Sequence, residues 1–239
     1  MHWTWFDLHW PWIGLLAAVL LLPLLFLTNA FRSRPDASRW RDPVWLAWLA
    51  VPLYMLHQFE EYGIDLLGRR HEFPKALCQT LGTPVPQCPI PEPFYAFVNV
   101  PLIWVAAPLA ATLGRRFPLV GLSYYGLLVT NGLVHLAAMF TAGYNPGLLT
   151  GVLFMALFLW CAAACFGAGG IRYEGLALLV VGGALSHAVL MGSVAAFMHG
   201  HLSTPALLAI QVLNAFLLPL VAMLAEKRWA AQVRPSRAL

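Results

Sequence analysis

Residues 43–66, PVWLAWLAVPLYMLHQFEEYGIDL, decide how this chain is read. The stretch runs from Pro43 to Leu56 without a charge, long enough to enter a bilayer, and then presents His57-Gln58-Phe59-Glu60-Glu61. An ionisable side chain at that depth costs roughly 3 kcal/mol on insertion scales. Such groups persist when they are paired, solvated in a cavity or bound to a ligand. Everything else in the chain can be asked what it supplies to them.

The chain has 239 residues, 60% hydrophobic and 10% charged. A soluble domain carries about 25% charged residues. Apolar segments of near-spanning length recur from end to end, so the expected fold is all-α: one polytopic transmembrane helix bundle over residues 1–239. Seven spans are expected, at about 12–31, 43–66, 94–113, 117–140, 148–168, 172–198 and 204–224, with a long loop over 67–93. The net charge of +4 does not suggest nucleic acid, because the basic residues cluster at segment ends. The opening MHWTWFDLHWPW lacks a basic n-region and a small-residue cleavage site, so it is expected to be retained with its tryptophans at a headgroup layer.

Basic residues orient the spans. With the Arg32–Arg41 loop inside, the inner segments hold Arg32, Arg34, Arg39, Arg41, Arg115, Arg116, Arg172, Lys227, Arg228, Arg234 and Arg237. The outer segments hold Arg69, Arg70 and Lys75. This bias places the N-terminus outside, the C-terminus inside and an odd number of spans between them. Cys78 and Cys88 then share an outer loop, where a disulfide can form. Cys161 and Cys165 read as buried small hydrophobes. Pro52 falls just before the motif and is expected to bend its helix. The expected setting is a bacterial inner membrane with the polar site toward the periplasm.

On a helix, His57, Glu60 and Glu61 share one face, with Tyr54 a turn earlier. Asn131 and His135 repeat the four-residue spacing on the fourth span, and His187 sits midway along the sixth. His57, His135 and His187 lie 14, 18 and 14 residues from the inner ends of their spans. At 1.5 Å per residue these are rises of about 21, 27 and 21 Å, all in the outer half of a ~30 Å core. One polar cluster is therefore expected, with His199 and His201 at its mouth. The plainer alternatives are real: a lone intramembrane His or Asn is often only a bundle hydrogen bond. The paired glutamates resist that reading, because no basic residue lies in any span interior to pair with them.

Histidines with a carboxylate are a ligand set for a divalent metal, zinc before iron, with a place left for water. His57, Glu60, Glu61, His135 and His187 are the candidate ligands, with Glu60 or Glu61 free to act as general base. Asn131 and Tyr54 would support them. The spacing is not HExxH, so the motif alone is a weak zinc signature. A di-iron oxygenase, an acid–base isomerase without metal and a cation transporter are the alternatives; the first wants more carboxylates than these, and the last a relay that the inner halves of the spans do not offer. The expected activity is metal-dependent, hydrolytic before oxidative, on a lipid or other apolar small molecule reached from the bilayer or periplasmic side. No protein partner can be assigned.

The string His57-Gln58-Phe59-Glu60-Glu61, followed by Asn131-Gly132-Leu133-Val134-His135, resembles the HXXEE family of bacterial integral membrane proteins. That family is named for the first motif and carries an N-x-x-x-H motif as well. The resemblance covers about residues 45 to 225. It implies a multispan protein whose functional set is His57, Glu60, Glu61, Asn131 and His135, in a family without an assigned activity. His187 rests on depth alone.

Overall fold

A computed structural model describes residues 3–83 and 87–233, the last three by backbone only; Arg234 and Arg237 of the charge argument lie outside these residues. The described residues form helices and no strand beyond two isolated bridges. In order these are α1 (Trp5–Leu27), α2 (Pro43–Tyr62), α3 (Phe73–Thr80), α4 (Pro93–Val100), a π segment (Pro101–Ala106), α5 (Ala107–Leu113), α6 (Pro118–Gly121), α7 (Tyr124–Ala142), α8 (Leu148–Cys165), α9 (Tyr173–Met198) and α10 (Thr204–Val233), with a 3-10 turn at Arg39–Arg41.

Six of the helical stretches are long and apolar enough to cross a membrane: Trp5–Leu27, Pro93–Leu113, Pro118–Ala142, Leu148–Cys165, Tyr173–Met198 and Thr204–Ala230. The chain is thus an integral membrane protein by composition. α2 is not among the six, because its last turns carry His57, Gln58, Glu60 and Glu61. It is instead the helix the others surround. It packs on α1, α5, α6 and α8, and Trp45, Leu46, His57 and Gln58 have no exposed surface.

The start of the first helix differs from the expected one for a local reason. α1 starts at Trp5, not near Trp12, because Thr4 and Asp7 form a capping box. The N-terminal tryptophans are therefore helical, and Trp10 is buried against Tyr62. α2 starts where expected. The Asp42 side chain accepts from the Val44 and Trp45 amides and also from Ser33. Burial opposes ionisation of Asp42, but the bonds from Ser33, Arg34 and Val44 outweigh it and hold the carboxyl below its usual range. The helix continues through Pro52 without a break.

Tyrosine hydroxyls fasten the bundle to α2 and α10. Tyr125 donates to the Leu46 carbonyl and Tyr124 to the Ala215 carbonyl. The α7–α9 crossing is close at Gly126 and Gly183, where a Cβ on Gly183 would stand 2.0 Å from the Gly126 carbonyl oxygen. Gly167 and Gly169 turn the α8–α9 connection at positive φ.

Cys78 and Cys88 form a disulfide, and Cys161 and Cys165 are free and buried. The bridge fixes α3 over one end of the bundle, where Phe73 and Leu77 pack with Phe94 and Tyr95. Replacing both bridged cysteines with serine should lower stability by about 2–3 kcal/mol. Thermal unfolding followed by tryptophan fluorescence measures this; an unchanged midpoint would mean that packing alone holds α3.

Candidate metal centre

The last two turns of α2 meet the last half of α7 and the start of α8. His57 sits on α2, Glu61 one turn later on the same face, and His135 on α7. Their donor atoms converge: His57 Nε2 is 3.5 Å and His135 Nε2 is 3.3 Å from Glu61 Oε1. All three residues are buried, and the three donor atoms lie within 4.8 Å of one another.

The turn between α7 and α8, Gly143-Tyr144-Asn145-Pro146-Gly147, fixes which ring nitrogen carries the proton. Asn145 Nδ2 donates to the His135 and Gly143 carbonyls, so its Oδ1 is the acceptor for His135 Nδ1–H at 2.6 Å. On α8, the Thr150 hydroxyl donates its single proton to Glu60 Oε2 at 2.6 Å. The same oxygen can then only accept, so His57 Nδ1–H donates to it at 2.7 Å. In their neutral forms both imidazoles then present a bare Nε2. His57 Nε2 is buried without a hydrogen-bond partner.

Glu60, expected as a ligand or as the base, has a different place. Its oxygens accept from the Leu149 and Thr150 amides, the Thr150 hydroxyl and the Tyr144 hydroxyl. It holds the first turn of α8, where a carboxylate complements unpaired amides and the helix dipole. Burial pushes the Tyr144 phenol up to about 12, so it stays a donor. The other buried acids do similar work: Asp7 and Asp42 cap helices and Asp65 pairs with Arg69. Glu61 differs, for its two partners are both imidazoles.

The remaining candidates fall around this cluster. Tyr54 packs edge-on to His57, with ring centroids 5.4 Å apart. Asn131 and His187 line a cavity shared with Glu61 but contribute no atom to the cluster. The Nδ1–H of His187 is spent on the Gly183 carbonyl of its own helix. His199 and His201 are exposed at the α9–α10 turn and do not line that cavity. Gln58, between the motif letters, binds the Asn99 carbonyl and side chain and accepts from Trp104, tying α2 to the α4–π helix.

Gly147 was legible only as part of a turn. It has φ +94°, and a Cβ there would stand 2.6 Å from His135 Cε1 and 2.7 Å from His57 Cε1. Asn145 and Thr150 were not legible as site residues at all, since Asn and Thr near a Gly-Pro turn are ordinary loop chemistry.

Residues 48–162 match the HXXEE-motif family. The family is described as "Protein of unknown function with HXXEE motif". The matched HXXEE segment ends within α8, short of the expected reach to about 225. It contains His57, Glu61, His135 and the groups that orient them, while His187 and all of α9 and α10 lie beyond it. No curated protein and no solved structure matches the chain.

Proposed function

We propose that this chain is a membrane metalloenzyme in which His57, His135 and Glu61 hold one divalent cation, zinc before iron, for hydrolysis of a lipid-soluble substrate. The observation that carries the reading is the convergence of two bare Nε2 atoms on one carboxylate oxygen. Three acceptors so placed repel one another unless a cation sits between them. The separations of 3.3 and 3.5 Å lie at the long end for an N–H···O bond and match the spacing of donors around a bound ion. Donors about 2.0–2.1 Å from zinc in a tetrahedron stand about 3.3–3.4 Å apart. Octahedral neighbours at a similar metal distance stand about 3 Å apart, the geometry of a two-His, one-carboxylate iron site, and fit less well. With Glu60 engaged at α8, three donors support one ion rather than a di-iron pair.

Such an ion polarises a carbonyl oxygen and lowers the pKa of a bound water. The protein's part is to keep both rings in the metal-binding tautomer and to exclude bulk water. Glu61 is the carboxylate that lines the adjoining cavity, so the base role passes to its second oxygen.

α2 is 20 residues long, about 30 Å, and completes a seven-span reading with the N-terminus outside and the C-terminus inside. The Cys78–Cys88 bridge supports placing the 67–93 loop and the site on the periplasmic side of an inner membrane.

Elemental analysis tests the proposal. Purified protein should carry close to one zinc per chain, and His135→Ala and Glu61→Gln should each lose it. Protein purified without metal, and unable to take up zinc, would sink the reading. Stoichiometric iron would replace hydrolysis with oxidation.

A further inference from the structure

A cavity opens from Glu61 toward α9 and α10, beneath Phe73 and Leu77 of α3. It offers about 100 Å³ to water centres, room for several waters or a small head group. Three residues that line it hold buried oxygens without a protein partner: Tyr95 Oη, Asn131 Oδ1 and Gln211 Oε1. Tyr95 and Gln211 are each 2% exposed. Gln211 Nε2 donates to Ser193 Oγ and to the Leu207 carbonyl, which leaves Oε1 as the free end of that side chain. Leaving such acceptors unpaired is expensive, so the wall is built for a ligand that brings donors.

The lining also excludes ligand classes. It contains no Lys or Arg, and its one carboxylate is Glu61. A phosphate or free carboxylate would meet the like charge of Glu61 with no Lys or Arg among the described lining residues to offset it. The lining combines the polar side chains of Asn99, Ser186, His187 and Asn214 with apolar ones such as Leu102, Leu190 and Val194, and Met191 both lines the cavity and is 42% exposed on α9. A chain can leave the cavity there toward lipid.

We propose that this cavity binds an uncharged amphiphile, its hydroxyl- or amide-bearing head donating to Asn131 and Gln211 and its hydrocarbon chain leaving past Met191. As substrate selection it rests on the metal-centre reading, since it sets the head group beside Glu61; as binding it does not need the ion. Of the three unpartnered oxygens, those of Tyr95 and Asn131 lie within the segment that matches the HXXEE family, and that of Gln211 on α10 lies beyond it.

The test is equilibrium binding of labelled 1-monooleoylglycerol to the full chain in a neutral detergent, with competition by unlabelled monooleoylglycerol, oleate and oleoyl lysophosphatidic acid. Monooleoylglycerol should compete at least tenfold better than either anion. Asn131→Leu with Gln211→Leu should weaken it tenfold or more while leaving the thermal midpoint close to the parent's, because two unpaired oxygens are removed along with the Gln211–Ser193 bond; a merely structural pair would lower the midpoint clearly. His57→Ala, stripped of metal, should still bind. Equal competition by the anions, no specific binding, or binding indifferent to the double variant would overturn the proposal. Binding that obeys these rules in protein that never holds metal would keep the pocket and discard the metal centre; metal without binding would do the reverse.

Discussion

With the proposed metal centre, Gly147→Ala should abolish metal binding. Two costs meet at this residue. The first is backbone: φ of +94° is open to glycine and costs an L-residue about 1–3 kcal/mol. The second is contact. The new Cβ would lie 2.6 Å and 2.9 Å from His135 Cε1 and Nε2, and 2.7 Å from His57 Cε1. Both rings would have to withdraw by most of an ångström, whereas metal–ligand distances tolerate about 0.2 Å. A loss of metal affinity of about a hundredfold or more is expected, at the upper end of what supporting residues cause. Gly143→Ala separates the two costs. Gly143 also has positive φ, at +73°, but a Cβ there meets nothing within 4 Å. That variant should lose some stability and keep its zinc. Zinc content and thermal midpoint, read on both variants, decide the matter; equal zinc in the two would show that the glycine serves the turn alone.

Thr150→Val should be nearly as severe for binding and mild for folding. The change keeps volume and removes one hydroxyl. Glu60 retains the Leu149 and residue-150 amides. His57 Nδ1–H loses its acceptor, and a buried unpaired donor costs about 1–3 kcal/mol. The ring is then free to turn or to shift its proton to Nε2, and zinc affinity should fall about 10- to 100-fold. Glu60→Gln should act through the same hydroxyl. In a Thr150→Val background it should therefore add little, which a double-variant cycle of zinc affinities will show. If Glu60 were instead the general base, Glu60→Gln would leave zinc affinity untouched and remove turnover.

Sequence and structure agree on some of this and part on the rest. The helical membrane architecture was legible because apolar runs of fixed length have no other stable form in lipid. His57, Glu61 and His135 were legible because charge at depth needs company. His187 has the right depth and lines the same cavity, but depth does not fix rotation about a helix axis, and its ring sits outside the cluster. Glu60 and Glu61 are adjacent, so they point about 100° apart on a helix, enough to send one to α8 and the other to the imidazoles. Which goes where depends on α8, whose contact with α2 is non-local and carries no pattern in the letters. Asn145 and Thr150 were hidden for the same reason.

The corner between α7 and α8 has one more implication. Asn145, Gly147 and Thr150 lie within six residues, and together they set the orientation of two rings anchored on other helices. Under the proposed metal centre, a homologue that keeps His57, Glu61 and His135 letter for letter would still be deaf to metal if that short corner had drifted. The three letters alone would then be a poor guide to which relatives share the proposed chemistry; the corner would be the better diagnostic.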